Sequence, residues 1–128
     1  MKLSKLKKYL RCNLAISEFK TSIKDEIKHY EKLAKKKGSS IPIDVVEDDE
    51  LSIDKEDISK ICDDYINEDL SVSEISYISD AMQLSEKIYI ENNYLLDFIF
   101  EMSDPEVNGL FTKERALEII KKICNKTF

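Results

Sequence analysis

One short segment, residues 104–115, carries oxygen ligands at the spacing of a calcium-binding loop. Carboxylate or amide side chains stand at its first, third and fifth positions and glycine at the sixth, as in an EF-hand. The twelfth position, where an EF-hand has a bidentate glutamate, is Arg115, and the glutamate comes one place early at Glu114. The spacing therefore favours a helix-to-helix turn without a metal site, and a degenerate ion-binding loop is the alternative.

Groups that could act as a general base or a nucleophile are few. His29 is the single histidine, and it lies off the apolar stripe of its predicted helix, which favours a solvated or packing role. Cys12, Cys62 and Cys124 are far apart and form no CxxC pair, as expected of reduced structural thiols. The sequence has no phosphate-binding, zinc-protease or hydrolase motif. We therefore predict no enzyme activity, no cofactor and no small-molecule substrate, with a carboxylate-based enzyme as a further alternative.

Charge is distributed unevenly along the chain, although the net value is only −6. Residues 1–40 hold twelve Lys or Arg against four Asp or Glu, whereas residues 41–106 hold three against twenty. Residues 107–128 hold five against two. The acidic middle repels nucleic-acid phosphates and anionic lipid and attracts cationic surfaces. This favours a cationic protein as partner, with no nucleic acid and no membrane.

Within the acidic middle, nine carboxylates are close enough in sequence to act together. They lie on one linker and one predicted helix, which would let them pool their potential on one side of the molecule. We predict that they form a partner-binding surface that accelerates association with a basic protein, and a merely solvated face is the alternative. The set consists of Glu47, Asp48, Asp49, Glu50, Asp57, Asp63, Asp64, Glu68 and Asp69.

Composition predicts the elements that must position these residues. Glycine and proline together number four, so long helices with few sharp turns are expected. We predict an all-α fold, a single-domain bundle of five to six helices spanning 1–128. Its parts are basic N-terminal helices at 1–37, an acidic linker at 38–53 with a short extended strap around 41–46, and a helical body at 54–128.

Apolar spacing and capping residues locate the individual helices. Stripes of apolar residues predict a first helix with Leu3, Leu6 and Leu10, a second with Phe19, Ile23, Ile27, Tyr30 and Ala34, and a third with Ile58, Ile61, Cys62, Tyr65 and Ile66. Ser17, Asp54 and Thr112 are predicted N-caps, and Ser71 with Glu74 forms a capping-box pattern.

Two further helices and one extended connection complete the predicted body. Residues 94–102 are apolar on almost every side, which is typical of a helix at the centre of a bundle. Inward positions are predicted at Ile75, Tyr77, Ile78, Ala81, Met82 and Leu84, and in the last helix at Ala116, Leu117, Ile120, Ile123 and Cys124. Residues 87–91 alternate and predict an extended connection.

Localisation follows from the distribution of apolar residues. The sequence has no run of eighteen uncharged apolar residues. The charges of the first twenty residues lie too close together for the apolar region of a secretory signal. We expect a cytoplasmic protein.

Three stretches carry a resemblance to a known class of proteins. They read DISKICDDYINEDLSVSEISYISDAMQLS at 57–85, FEMSDPEVNGLFTKERALEII at 100–120 and KKKGSSIPI at 35–43, and together they cover a little over half of the chain. In these stretches the chain resembles small acidic α-helical immunity proteins of bacterial polymorphic and contact-dependent growth inhibition toxin systems.

The resemblance implies a function that residue chemistry alone does not. Such immunity proteins are cytoplasmic and non-enzymatic, and they neutralise a cognate toxin domain by covering its active site or docking beside it. The implied function is therefore a toxin inhibitor, or antitoxin, that acts by stoichiometric steric and electrostatic blockade. The alternative is a small regulatory or adaptor helical module that senses an ion through the loop at 104–115.

Calcium calorimetry separates the two interpretations of the loop. If the segment is a helix-to-helix turn, titration of the protein with CaCl₂ should give no heat beyond dilution, because Arg115 replaces the bidentate ligand. Saturable heat with a dissociation constant in the micromolar range would instead establish an ion sensor.

Overall fold

The computed structural model describes residues 1–34, 43–103 and 111–125. These residues form six helices and two short strands. The elements are α1 (Leu3–Leu10), α2 (Ile16–Ala34), β1 (Leu51–Ile53), α3 (Lys55–Ile66), α4 (Val72–Leu84), β2 (Ile88–Ile90), α5 (Asn93–Ser103) and α6 (Lys113–Asn125). The prediction of a mainly helical bundle with five to six helices is confirmed.

The two central helices begin with reciprocal capping boxes. At α3 the Asp57 backbone N–H donates to the Asp54 carboxylate at 3.0 Å, and the Asp54 backbone N–H donates to the Asp57 carboxylate at 2.9 Å. At α4 the corresponding pair is Ser71 and Glu74, at 3.1 and 2.8 Å. Each box satisfies two backbone donors that the first helical turn leaves unpaired. Asp54 and the Ser71–Glu74 box therefore act as predicted.

The predicted caps at the other two helices have different outcomes. The Arg115 backbone N–H donates to the Thr112 hydroxyl at 3.1 Å, so Thr112 caps α6 as predicted. The prediction for Ser17 is wrong, since α2 already begins at Ile16 and Ser17 lies within its first turn.

A two-stranded parallel sheet joins the acidic linker to the connection between α4 and α5. Leu51 pairs with Ile88 and Ile53 with Ile90. The extended connection predicted at 87–91 is confirmed as β2, whereas the described part of the linker, 43–53, forms its strand at 51–53. Of the predicted strap, residues 41–42 lie outside the described residues, and Val46 makes only an isolated bridge to Lys2.

The core contains most of the predicted apolar stripes, with a few residues misassigned. Leu84, Phe100 and Leu117 are 66, 47 and 46 % exposed, and Cys124 is exposed as well. In α6 the buried side chains are Ala116, Ile119 and Ile123. These positions are three and four residues apart and share one helical face, and Leu117 and Cys124 fall one position beyond that face.

Helix α1 is anchored between α2 and α3 by the side chain of Tyr9. Its ring stacks on Phe19 with centroids 4.8 Å apart and an interplanar angle of 4°. Its hydroxyl donates to the Asp64 carboxylate, and the Lys60 ammonium lies 4.8 Å from the ring centroid. The basic first helix therefore packs directly against the acidic segment, and this placement decides how much of the predicted acidic surface is available to a partner.

Candidate protein-binding site

Two carboxylates of the linker contact α1, one at its first turn and one at its last. The Asp48 carboxylate accepts from the Ser4 backbone N–H at 2.9 Å and from the Ser4 hydroxyl at 2.6 Å, and these bonds lower the pKa of Asp48. Lys2 occupies the N-cap position and provides no side-chain cap, so Asp48 fills that role from a distant part of the chain. Asp49 lies 3.5 Å from the Lys7 ammonium. The carboxylates of Asp48 and Asp49 therefore both interact with residues of α1.

The other two linker carboxylates differ from each other. Glu47 accepts from the Ser85 hydroxyl at 2.9 Å and from the Lys87 backbone N–H at 3.2 Å, which ties the linker to the approach to β2. Glu50 is exposed, and its carboxylate makes no hydrogen bond or ion pair within the described residues.

Asp57 does not belong to the outer surface, which corrects the sequence-based prediction. It is 2 % exposed, forms the capping box of α3 and is ion-paired with Arg11. Arg11 also donates to the Ser52 carbonyl at 2.9 Å. Burial raises the pKa of Asp57 to about 6, because removal from water destabilises the charged form, while Arg11 acts in the opposite direction.

A sequence signal for this burial exists. Asp57 precedes Ile61 by four residues and Asp64 follows Ile61 by three, so all three lie on one face of α3. That face packs against α1, where Asp64 accepts from Tyr9, and Asp57 pairs with Arg11 directly after the end of the helix. The spacing Asp54-x-x-Asp57 also matches a capping box, which engages the side chain of its fourth residue.

The neighbouring carboxylates Asp63 and Asp64 have opposite surroundings. Asp64 accepts from the Tyr9 hydroxyl and lies 3.5 Å from the Lys60 ammonium, with its side chain only 14 % exposed. Burial and this carboxylate raise the pKa of Tyr9 above its usual value. Asp63 is exposed and makes no hydrogen bond or ion pair within the part of the chain that is described.

The last two carboxylates lie beyond the end of α3. Glu68 forms an ion pair with Lys113 of α6 at 2.5 Å, which lowers the pKa of Glu68. Asp69 is exposed, and its carboxylate has no side-chain partner among the described residues. Six of the nine predicted partner-binding residues therefore have partners in their own chain. Glu50, Asp63 and Asp69 remain.

Of these three, Asp63 borders a surface groove. The groove has a volume of about 660 Å³ and lies between α3, α6 and the end of α1. Apolar side chains on its lining are Leu10, Ile120 and Ile123, and Glu56, Asp63 and Asp64 supply carboxylates. Lys55 and Lys60 also contribute, as do the exposed thiols Cys12 and Cys124. Sequence reasoning missed the groove because its walls come from three helices that are distant in sequence.

The described residues contain no group of three or more His, Cys, Asp or Glu side chains placed to hold a metal ion. Residues 104–110 of the candidate calcium loop lie outside the described residues. Arg115, at the position of the missing glutamate, donates to Glu101 at 2.6 and 2.8 Å and to Glu118 at 3.0 Å.

Burial raises the pKa of the Cys62 thiol to about 12, so it stays protonated near neutral pH. None of the helices within the described ranges is long and apolar enough to cross a membrane.

Comparison of the chain with protein-family models, with curated proteins and with solved structures finds no match.

The raised pKa of Asp57 predicts how the stability of the fold depends on pH. Between pH of roughly 4 and 6 the folded protein holds a proton on Asp57 that the unfolded chain has released. The contribution of this group to stability therefore falls as pH rises through that window. Between pH of about 4 and 7, the unfolding free energy of the wild-type protein should fall by up to about 3 kcal/mol relative to that of the Asp57→Asn variant.

Urea unfolding at several pH values measures this difference. Asp63→Asn, at an exposed position of the same helix, is the matched control for removal of one carboxylate. A wild-type advantage over Asp57→Asn that grows with pH would contradict the prediction, since it would mean that the ion pair with Arg11 outweighs the cost of burial.

Proposed function

We propose that this chain is an immunity-type protein that binds a cognate bacterial toxin domain in the cytoplasm and neutralises it stoichiometrically, without turnover. The observation that carries the proposal is the groove between α1, α3 and α6, which combines apolar lining with carboxylates at its border. The resemblance of residues 57–85 and 100–120 to immunity proteins points to the same class.

The groove suits a protein segment with both apolar and cationic side chains. Ile120 is partly exposed and offers apolar surface whose burial by a partner is favourable by roughly 25 cal/mol per Å², while Leu10 and Ile123 are buried and form the apolar floor of the groove. Glu56 and Asp63 are exposed at its border and have no ion pair within the described ranges. Lys or Arg side chains of a partner can therefore pair with them without displacing an existing bond.

Long-range electrostatics supports a cationic partner. Residues 43–103 hold eighteen Asp or Glu and three Lys or Arg, and the internal pairs with α1 and α6 neutralise only part of this excess. The remaining potential would steer a basic toxin domain towards the molecule at low ionic strength. The electrostatic role is therefore shared by the whole acidic body, whereas specific contact is assigned to the groove.

In this proposal the chain inhibits the toxin domain by blocking its cationic surface. A nuclease, or another enzyme with an anionic substrate, binds that substrate through a cationic surface. A toxin domain bound at the groove would have this cationic surface covered by the chain. Such inhibition needs no chemical reaction by the chain. The side chains that line the groove can supply it through packing and charge alone.

Reversal of a single groove charge tests this assignment. Asp63→Lys should slow association with the toxin domain several-fold at low ionic strength, and the difference from wild type should shrink as salt screens the charge. Asp97→Lys, at an exposed position of α5 that does not line the groove, is the matched control and should have a smaller effect. Asp64 is unsuitable for reversal because its carboxylate accepts the bond from Tyr9.

The proposal predicts that a secreted protein with a toxic C-terminal domain is encoded beside the gene of this chain, and that domain is the toxin for this experiment. Expressed alone, the domain should arrest growth, and co-expression of the wild-type chain should restore it through a one-to-one complex. Stopped-flow measurement with the purified components gives the association rates. Arrest that the chain does not relieve would contradict the function, and equal rates for Asp63→Lys and Asp97→Lys would contradict the groove.

A further inference from the structure

The two-stranded sheet has outer edges of different character. On the outer side of β1 the Ser52 carbonyl accepts a hydrogen bond from the Arg11 guanidinium at 2.9 Å. Arg11 therefore occupies that edge. The outer side of β2 has no such cover from a side chain in the described residues, and its backbone groups follow from the strand register.

The register shows which backbone groups of β2 face outward. The Leu51 N–H donates to the Lys87 carbonyl at 3.0 Å, and the Glu91 N–H donates to the Ile53 carbonyl at 3.1 Å. In a parallel ladder with this register, Tyr89 directs its N–H and C=O towards β1. The N–H and C=O groups of Ile88 and Ile90 then face the other way. Within the described ranges, no hydrogen bond to these four groups is found.

The side chains along this edge alternate between the two faces of the sheet. Ile88 is buried and Ile90 partly buried, which places them on the core side. Tyr89 is 52 % exposed, and Lys87 and Glu91 are exposed on the same outer side of the sheet. Neither charged side chain forms an ion pair with another described residue.

We propose that β2 pairs antiparallel with β2 of a second copy of this chain, with the two-fold axis at Tyr89. Ile88 of each copy then lies opposite Ile90 of the other, and these two hydrogen-bonded pairs use all four outward backbone groups. The two Tyr89 residues form the central non-hydrogen-bonded pair, in which side chains are closest. The result is a continuous sheet with the order β1, β2, β2, β1.

Charge complementarity identifies the second copy as the occupant. In this register Lys87 of each copy lies opposite Glu91 of the other, so the symmetric pairing forms two ion pairs. An edge protected against self-association carries charges that repel on pairing. Here the flanking charges are opposite in sign and equidistant from the axis. A shift of one residue would place Ile88 or Ile90 opposite Tyr89, whose backbone groups face β1, and a shift of two would separate the ion pairs.

Charge reversal and exchange test the pairing in solution. Analytical ultracentrifugation of the full chain should show a reversible dimer that forms at high micromolar concentration, as expected of a small interface. Lys87→Glu and Glu91→Lys should each weaken association by about tenfold, since each puts like charges opposite one another at two places. The double variant Lys87→Glu/Glu91→Lys should restore it. Unchanged far-ultraviolet circular dichroism establishes that each variant is folded.

A monomer at millimolar concentration would overturn the proposal. A dimer that both single reversals leave intact, or that the exchange of charges does not restore, would assign association to another surface and would equally overturn it.

Disulfide trapping tests the register independently of charge. In a Cys12→Ser/Cys124→Ser background, Tyr89→Cys should form a disulfide-linked dimer on mild oxidation, because the two residues meet at the axis. Ser52→Cys in the same background is the matched control. It pairs with Tyr89 in register and is also exposed, but it lies roughly 14 Å from its own copy, across three strand spacings. Equal cross-linking of the two variants would contradict the register.

Discussion

The ion pair between Arg11 and Asp57 is the constraint on which the rest of the structure depends. Asp57 starts α3 through its capping box, and Arg11 ends α1 and reaches the Ser52 carbonyl of β1. One buried carboxylate therefore fixes two helices and a strand relative to one another. Removal of Arg11 would leave the ionised Asp57 carboxylate buried without its cationic partner, and breaking a buried ion pair in this way typically costs about 3–5 kcal/mol. The basic first helix and the acidic middle of the sequence are held together at this point.

This packing changes the meaning of the uneven charge along the chain. In sequence, the acidic middle looks like one extended binding surface for a basic protein. In the fold, Ser4, Lys7, Tyr9 and Arg11 each engage one of its carboxylates, so the acidic segment first serves to hold α1. The surface left for a partner is smaller and more specific, a groove that combines apolar area with a few carboxylates at its border. The proposed toxin-binding role rests on that groove.

Much of the fold could be predicted because helix stripes and caps are local signals. The apolar spacing of α1 and the capping residues before α3 and α4 depend on neighbours within a few positions. The Ser17 cap and the inward positions at Leu117 and Cys124 are wrong by one or two residues, and the larger errors occur where the partner is distant in sequence. The strand at 51–53 forms because residues 88–90 lie beside it, and Asp57 is buried because Arg11 packs onto it. The groove depends on α6, which the sequence separates from α3 by more than forty residues.

The groove and the sheet edge each contain an isoleucine, so methyl spectroscopy can compare the two surfaces in one experiment. In a sample with labelled isoleucine δ1 methyl groups, Ile120 lies at the groove and Ile90 at the sheet edge. Addition of the cationic toxin domain should shift the resonances of Ile120 and Ile123 and leave that of Ile90 in place. Shifts at Ile90 or at Ile43 in the linker, with the resonances of Ile120 and Ile123 unchanged, would contradict the assignment of partner binding to the groove.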